Sequence, residues 1–248
     1  MNVIFPIAGP KLVFTDSLGN SSCKPLIDII GKPLIERIFI NVSTSLPGKN
    51  NYIFVVNDSD CTNFSLDSVL SLLSPNAHID RLKGQTQGSL CSCLVAMGHI
   101  NPDEELLVVN GDQHVDYSLE KIISYFRERK ADGGVVTFDS IHPKWSYVRL
   151  NADGVVVETS EKRPLSRNAS VGIYYFRKAS DFIESAKGVI RKDANVNGAF
   201  YVSSVYNEMI LRSLLVLPYK IPNASFFPLD TPETIDAFVK YIQRQNDG

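Results

Sequence analysis

A carboxylate stands at the end of an apolar run: Leu106-Leu107-Val108-Val109-Asn110-Gly111-Asp112-Gln113. A short, continuous apolar stretch with β-branched members reads as a strand buried on both faces. Ligands of open α/β sheets bind beyond the carboxyl ends of such strands. Asp112 is placed there, where a carboxylate can hold a hard cation. Gly111 lets the chain turn sharply and leaves room for a ligand. The same residues also suit an Asx-type turn with Asp112 simply solvated. The elements around the run decide between the two.

Those elements alternate. Asn2 to Ile7 reads as a first strand, followed by a loop from Ala8 to about Lys24 rich in Gly, Ser, Asn and Pro. Binding residues collect on loops carried by rigid strands. A helix starts near Pro33, with Leu34, Ile38 and Val42 on one face. Strands are expected over Asn51 to Asn57, Ala77 to Leu82, Gly133 to Phe138 and Leu215 to Ile221. Helices are expected over Asn63 to Leu73, Ser89 to His99, Ala179 to Arg191 and Ser204 to Leu214. Leu119, Ile122, Ile123 and Phe126 recur at helical spacing. Thr231-Pro232-Glu233 opens a last helix with a hydroxyl cap, an early proline and an acid near its positive end. Ser146 to Leu150, Val155 to Thr159 and Val171 to Phe176 read as a small antiparallel insertion packed against the parallel sheet. The alternation runs unbroken, so a single domain over 1–248 is expected.

The 248 residues are 44% hydrophobic and 21% charged, with formal net charge −2. This is an ordinary globular composition. A pI near 6.1 offers no electrostatic footprint for nucleic acid. No apolar run approaches the ~20 residues of a membrane span, and the chain opens on a strand rather than a leader-like segment. Cys23, Cys61, Cys91 and Cys93 match no zinc spacing and read as free thiols of a cytoplasmic protein.

Several separated stretches stand out: Asn2 to Gly9 with Lys24-Pro25-Leu26-Ile27-Asp28 and Gly31-Lys32-Pro33-Leu34-Ile35; Gln85-Thr86-Gln87-Gly88; Gly111-Asp112-Gln113; Glu161-Lys162 with Val171-Gly172-Ile173-Tyr174; and Leu229-Asp230-Thr231-Pro232-Glu233. Together they resemble the sugar nucleotidyltransferases, the nucleoside-diphosphate-sugar pyrophosphorylase family. The likeness covers nearly the whole chain, and the nearest flavour is the small members of capsule and lipopolysaccharide clusters. It implies an α/β fold: a Rossmann-like, mixed and mainly parallel sheet flanked by helices, related to the GT-A glycosyltransferases. No fused β-helix acyltransferase is expected at this length.

The implied partners are a nucleoside triphosphate and a sugar 1-phosphate or similar phosphorylated metabolite, with Mg²⁺ as cofactor; a homo-oligomer is compatible, and neither nucleic acid nor membrane is expected. The implied metal ligands are Asp112 and Asp230. Lys24 would bind the triphosphate and Lys162 the sugar phosphate, both as compact point charges. Ala8, Gly9 and Lys11 belong to the phosphate loop. Gln87 and Gly88, or Gln85 in place of Gln87, would read the base. Glu161 and Gly172 would meet the sugar. His114 is given a supporting rather than a chemical role, and Trp145 and Tyr147 belong to the core or rim.

Two departures stand beside the likeness. The family's Gly-x-Gly-(Thr/Ser)-Arg loop reads Gly9-Pro10-Lys11-Leu12-Val13-Phe14 here, without the second glycine or the arginine. Pro10 also lacks an N–H donor, and Lys11 cannot give arginine's bidentate fork. The family's sugar-binding Glu near Ala199 is absent from Asn197-Gly198-Ala199-Phe200-Tyr201. An active enzyme and a catalytically degenerate, sugar-nucleotide-binding or regulatory protein on the same fold are therefore both carried forward, with a GT-A-like glycosyltransferase third.

Overall fold

The computed structural model describes residues 1–9, 13–15 and 21–246. Its strands are β1 (Asn2–Pro6), β2 (Val13–Thr15), β3 (Ser21–Cys23), β4 (Asn51–Asn57), β5 (His78–Leu82), β6 (Leu106–Val109), β7 (Gln113–Val115), β8 (Gly133–Asp139), β9 (Ser146–Leu150), β10 (Val156–Glu161), β11 (Asn168–Phe176), β12 (Val216–Lys220) and β13 (Phe226–Pro228). Its helices are α1 (Leu34–Ser45), α2 (Asp58–Phe64), α3 (Leu66–Leu73), α4 (Ser89–Val95), α5 (Leu119–Glu128), α6 (Ala179–Arg191), α7 (Val205–Leu211) and α8 (Pro232–Asn246). No helix of the described residues is long and apolar enough to cross a membrane.

Nine of the strands form one sheet. β5, β4, β1 and β6 run parallel, and β8 and β12 form a second parallel pair. β11 joins the two groups, antiparallel to both β6 and β8. The β9–β10 hairpin thus continues the sheet through β11 instead of lying against it. This differs from the expected packed insertion. The long β11 has edge groups left over after β6 ends, and β9 takes them up.

The core divides with the two-residue alternation of the strands. Val3, Phe5, Leu107 and Val109 face α1, α5 and α8. Ile4, Leu106 and Val108 face α4, α6 and α7. Phe5 stacks on Phe54 with ring centres 4.9 Å apart. The buried stripes of α1 and α5 contain the residues expected from their spacing. α5 is capped by the Ser118 hydroxyl, which accepts from the Lys121 N–H at 3.2 Å.

The helix expected over Asn63 to Leu73 is two helices. Ser65 adopts φ +56 between α2 and α3, which interrupts the helical hydrogen-bond ladder. The loop expected from Ala8 to Lys24 contains the β2–β3 hairpin. The segment after Asp112 forms β7, which pairs antiparallel with β13. That two-stranded ribbon has the greatest consequence for the site.

Candidate active site

The sheet forks at Gly172. The C-terminal half of β11 pairs with β6, whereas its N-terminal half meets β9. The register on β8 shifts between Ser170 and Tyr174. Gly172 sits in this bulge at φ +79 and accepts the Asn110 N–H at 3.0 Å. A Cβ there would lie 2.5 Å from Asn110 Nδ2 and 2.6 Å from Gln113 Oε1. Glycine is thus required both by conformation and by the close approach of two side chains.

A cavity of about 560 Å³ opens at this fork. Ala8, Gly9, Lys24, Gly88, Asp112, Glu161, Lys162, Gly172 and Asp230 all line it. Gln87 does not. Its carbonyl accepts the Phe200 N–H at 2.7 Å, and Gln85 and Thr86 line the cavity in its place. Of the two glutamines expected to read the base, Gln85 is the one that lines the cavity. Lys11 lies outside the described residues.

The two distant acids meet through the ribbon. Phe226, Phe227 and Pro228 pair with Val115, His114 and Gln113, and the Leu229 N–H donates to the Asp112 carbonyl at 2.8 Å. Continuing this register sets Asp230 at the Gly111-Asp112 end. Thr231 then caps α8: its hydroxyl accepts the Thr234 N–H at 3.3 Å, and the Thr234 hydroxyl accepts the Thr231 N–H at 3.1 Å. Each acid has a lysine. Lys24 Nζ is 3.4 Å from Asp112 Oδ2, and Lys144 Nζ is 3.0 Å from Asp230 Oδ2. Gly111 lies in a turn, as expected, and packs closely as well: a Cβ there would fall 1.9 Å from Ile7 Cγ2, so any side chain would force Ile7 to shift.

On the opposite wall, Glu161 accepts from the Ser146 and Ser203 hydroxyls. Burial pushes its carboxyl above the usual range, against the lowering effect of those bonds. Lys162 adopts φ +54, uncommon for a side chain of its kind, and places Nζ 5.3 Å from the centre of the Tyr201 ring. A hydrogen bond with the Tyr201 hydroxyl holds its ammonium above the usual range. Trp145 lines the cavity and packs edge-on against Phe138 and Phe226, whereas Tyr147 is fully buried.

Three further features were not singled out from the sequence. Lys144 gave no signal beyond its place before Trp145. Asn57 and Asp60 line the far end, with Asn57 Nδ2 donating to the Gly9 carbonyl at 3.0 Å and to Asp60 Oδ2 at 3.2 Å. Asp58-Ser59-Asp60 is an Asp-x-Asp sequence, yet it does not act as a pair here: Asp58 is held by Arg81 at 2.8 Å and only Asp60 lines the cavity. Gln113 also lines it, and its Nε2 is buried without a partner among the described residues.

The nucleotidyl transferase family profile matches residues 17–199, well over half of the chain. The chain belongs to the nucleotidyl transferase family. It is 27% identical over 169 residues to the bifunctional protein GlmU of Methanocaldococcus jannaschii, a match covering 66% of this chain and 37% of that protein. The chain thus spans little more than a third of that relative's length. Its fold is similar to a nucleoside-diphosphate-sugar pyrophosphorylase from Vibrio cholerae RC9, with TM-score 0.80, 20% identity and coverage of 97% of this chain and 100% of that one. It is also similar to a UDP-glucose pyrophosphorylase complexed with UDP-glucose, with TM-score 0.74, 14% identity and 98% coverage of each. These likenesses establish the mixed, mainly parallel, helix-flanked sheet of the family's fold.

His114 lies in β7 of the ribbon, its ring centre 4.9 Å from that of Phe238. Burial holds its imidazole down to about 4, with Asp116 opposing and Arg37 reinforcing the shift. The unfolded chain then takes up a proton below about pH 6.5, and the folded chain only near about pH 4. Stability is expected to be complete above the first value and to fall as pH drops toward the second. Thermal unfolding across this window should show a smaller acid loss for His114→Asn than for the parent. Equal losses would place the acid lability elsewhere.

Proposed function

We propose that the chain is a Mg²⁺-dependent nucleotidyltransferase that moves a nucleoside monophosphate from a triphosphate to a sugar 1-phosphate or a similar phosphorylated metabolite, releasing pyrophosphate. The observation that carries this reading is the meeting of Asp112 and Asp230, more than a hundred residues apart, in one cavity with Lys24 and Lys162. Activated-sugar supply for surface polysaccharide, in the cytoplasm and by a single domain over 1–248, fits the same reading.

A phosphate oxygen of the sugar 1-phosphate attacks the α-phosphorus. The bond from that phosphorus to the bridging oxygen breaks, and pyrophosphate leaves with the electron pair. Such transfers need positioning and charge stabilisation more than covalent help. Lys24 draws in the triphosphate, and Lys162 aims the sugar phosphate. Glu161, fixed by two serines, accepts hydrogen bonds from sugar hydroxyls, and Gly172 leaves the sugar room beside β11. Ala8, Gly9, Gln85 and Gly88 border the nucleotide. The paired carboxylates of Asp112 and Asp230 suit Mg²⁺, which takes one or two protein carboxylates plus phosphate oxygens. When bound, it would neutralise phosphate charge and orient the reacting groups.

Binding without turnover is the second reading, favoured by the loop without its arginine and by Ala199. Pyrophosphate release across the common nucleoside triphosphates and a panel of sugar 1-phosphates separates the two. Release in equimolar amount with a nucleoside-diphosphate sugar, lost on chelation of Mg²⁺, is expected. Lys162→Met should raise KM for the sugar phosphate about tenfold while altering that for the triphosphate much less. Binding of both substrates with no pyrophosphate formed would establish the degenerate protein instead.

A further inference from the structure

Among the described residues, the cavity is lined by the acids Asp60, Asp112, Glu161 and Asp230 and by the lysines Lys24, Lys144 and Lys162. Two polyanionic substrates cannot enter such a site unless every available cation turns toward them. Two of these lysines are engaged with the acids proposed to hold the metal. Lys144 Nζ stands 3.0 and 3.4 Å from the two oxygens of Asp230. It also lies 4.3 Å from the centre of the Trp145 ring.

We infer that Lys144 is a phosphate-gripping residue that waits on Asp230 and passes to the pyrophosphate end of the nucleotide when a divalent cation takes the carboxylate. The inference rests on the function proposed above and adds a residue to it. Its geometry favours an exchange. Both side chains are about one third exposed, 34% for Lys144 and 33% for Asp230, so the pair is open to competition. Exposed pairs are weak enough, about 1 kcal/mol or less, to be displaced by a divalent ion. The ring contact keeps the released ammonium beside the cavity instead of letting it swing into solvent. The flexible lysine stem allows the move. The loop after β1 lacks an arginine in sequence, and Lys144 adds a cation to the cavity lining.

Binding of Mn²⁺ alone, and of inorganic pyrophosphate with Mn²⁺, tests this on the full chain by calorimetry, without turnover. Lys144→Met is expected to bind Mn²⁺ about threefold more tightly, since no ion pair must be broken. It should bind pyrophosphate about tenfold more weakly, the loss of one charge-assisted contact. Lys144→Arg should keep pyrophosphate binding within about threefold of the parent. A purely structural lysine would move neither affinity in these opposed directions. Unchanged binding of both ligands in Lys144→Met, with weaker pyrophosphate binding in Lys24→Met, overturns the inference and leaves the proposed function standing. No effect of either substitution on pyrophosphate overturns both.

Discussion

Asp112→Asn is expected to lower kcat by about 10³ with little change in thermal stability. The size follows from the loss of one preorganised electrostatic partner, about 10²–10³ in other enzymes, combined with a weakened grip on the metal. Stability should hold because Asp112 is 47% exposed and its contact with Lys24 is a long one, 3.4 Å. Asp230→Asn should act in the same direction, since the β7–β13 ribbon makes the two acids one unit. The double variant should then cost little more than the worse single one, as groups that act together are not additive. Raising Mg²⁺ should recover part of the loss in each single variant. A kcat within about threefold of the parent for Asp112→Asn would remove it from the chemistry.

Gly88→Ala is expected to destabilise the fold by about 3 kcal/mol or more and to abolish nucleotide binding with it. Gly88 holds φ +101, where a side chain is strained. Its Cβ would lie 2.3 Å from the Phe200 carbonyl oxygen and 2.7 Å from the Phe200 nitrogen, both backbone atoms that no rotamer change can move. The two segments are bridged by hydrogen bonds from Phe200 N–H to the Gln87 carbonyl at 2.7 Å and from Leu90 N–H to the Phe200 carbonyl at 3.1 Å. Any relief of the clash breaks those bonds and opens the wall of the cavity. For a chain of this size the loss corresponds to a fall in Tm of about 6–12 °C. Gly84→Ala, on the same loop with nothing within 4 Å of its Cβ, should leave Tm nearly unchanged. Equal Tm values for the two variants would show that the bridge contributes nothing.

Much of the fold was legible because burial leaves periodic marks. β1, β4 and β6 are continuous apolar runs buried on both faces, and α1, α5 and α6 carry regular buried stripes. The β7–β13 ribbon was not legible. Each strand has three residues, too few for a period, and the partners are more than a hundred residues apart. The capped helix after Asp230 was readable, but what carries Asp230 to Asp112 was not. The acids, Lys24 and Lys162 could be named because their neighbours form recognisable stretches. Lys144 could not, since a lone lysine in a loop becomes notable only once Asp230 is found beside it. Gln87 and Gln85 lie two residues apart, and no local pattern says which of them lines the cavity. The turn at Gly111 was legible, but its close approach to Ile7, a residue more than a hundred positions earlier, is encoded by no local pattern.

Asp112 and Asp230 are proposed to hold one divalent cation against the phosphates of a nucleotide lying in the forked cavity. A crystal structure of the chain with Mn²⁺, a nucleoside triphosphate and a sugar 1-phosphate, read by anomalous scattering, tests it most directly. The expected result is a peak about 2.1–2.3 Å from a carboxylate oxygen of each residue, in contact with phosphate oxygen, with the sugar beside Glu161 and Gly172. A nucleotide seated outside the cavity, or manganese bound away from both aspartates, would contradict it.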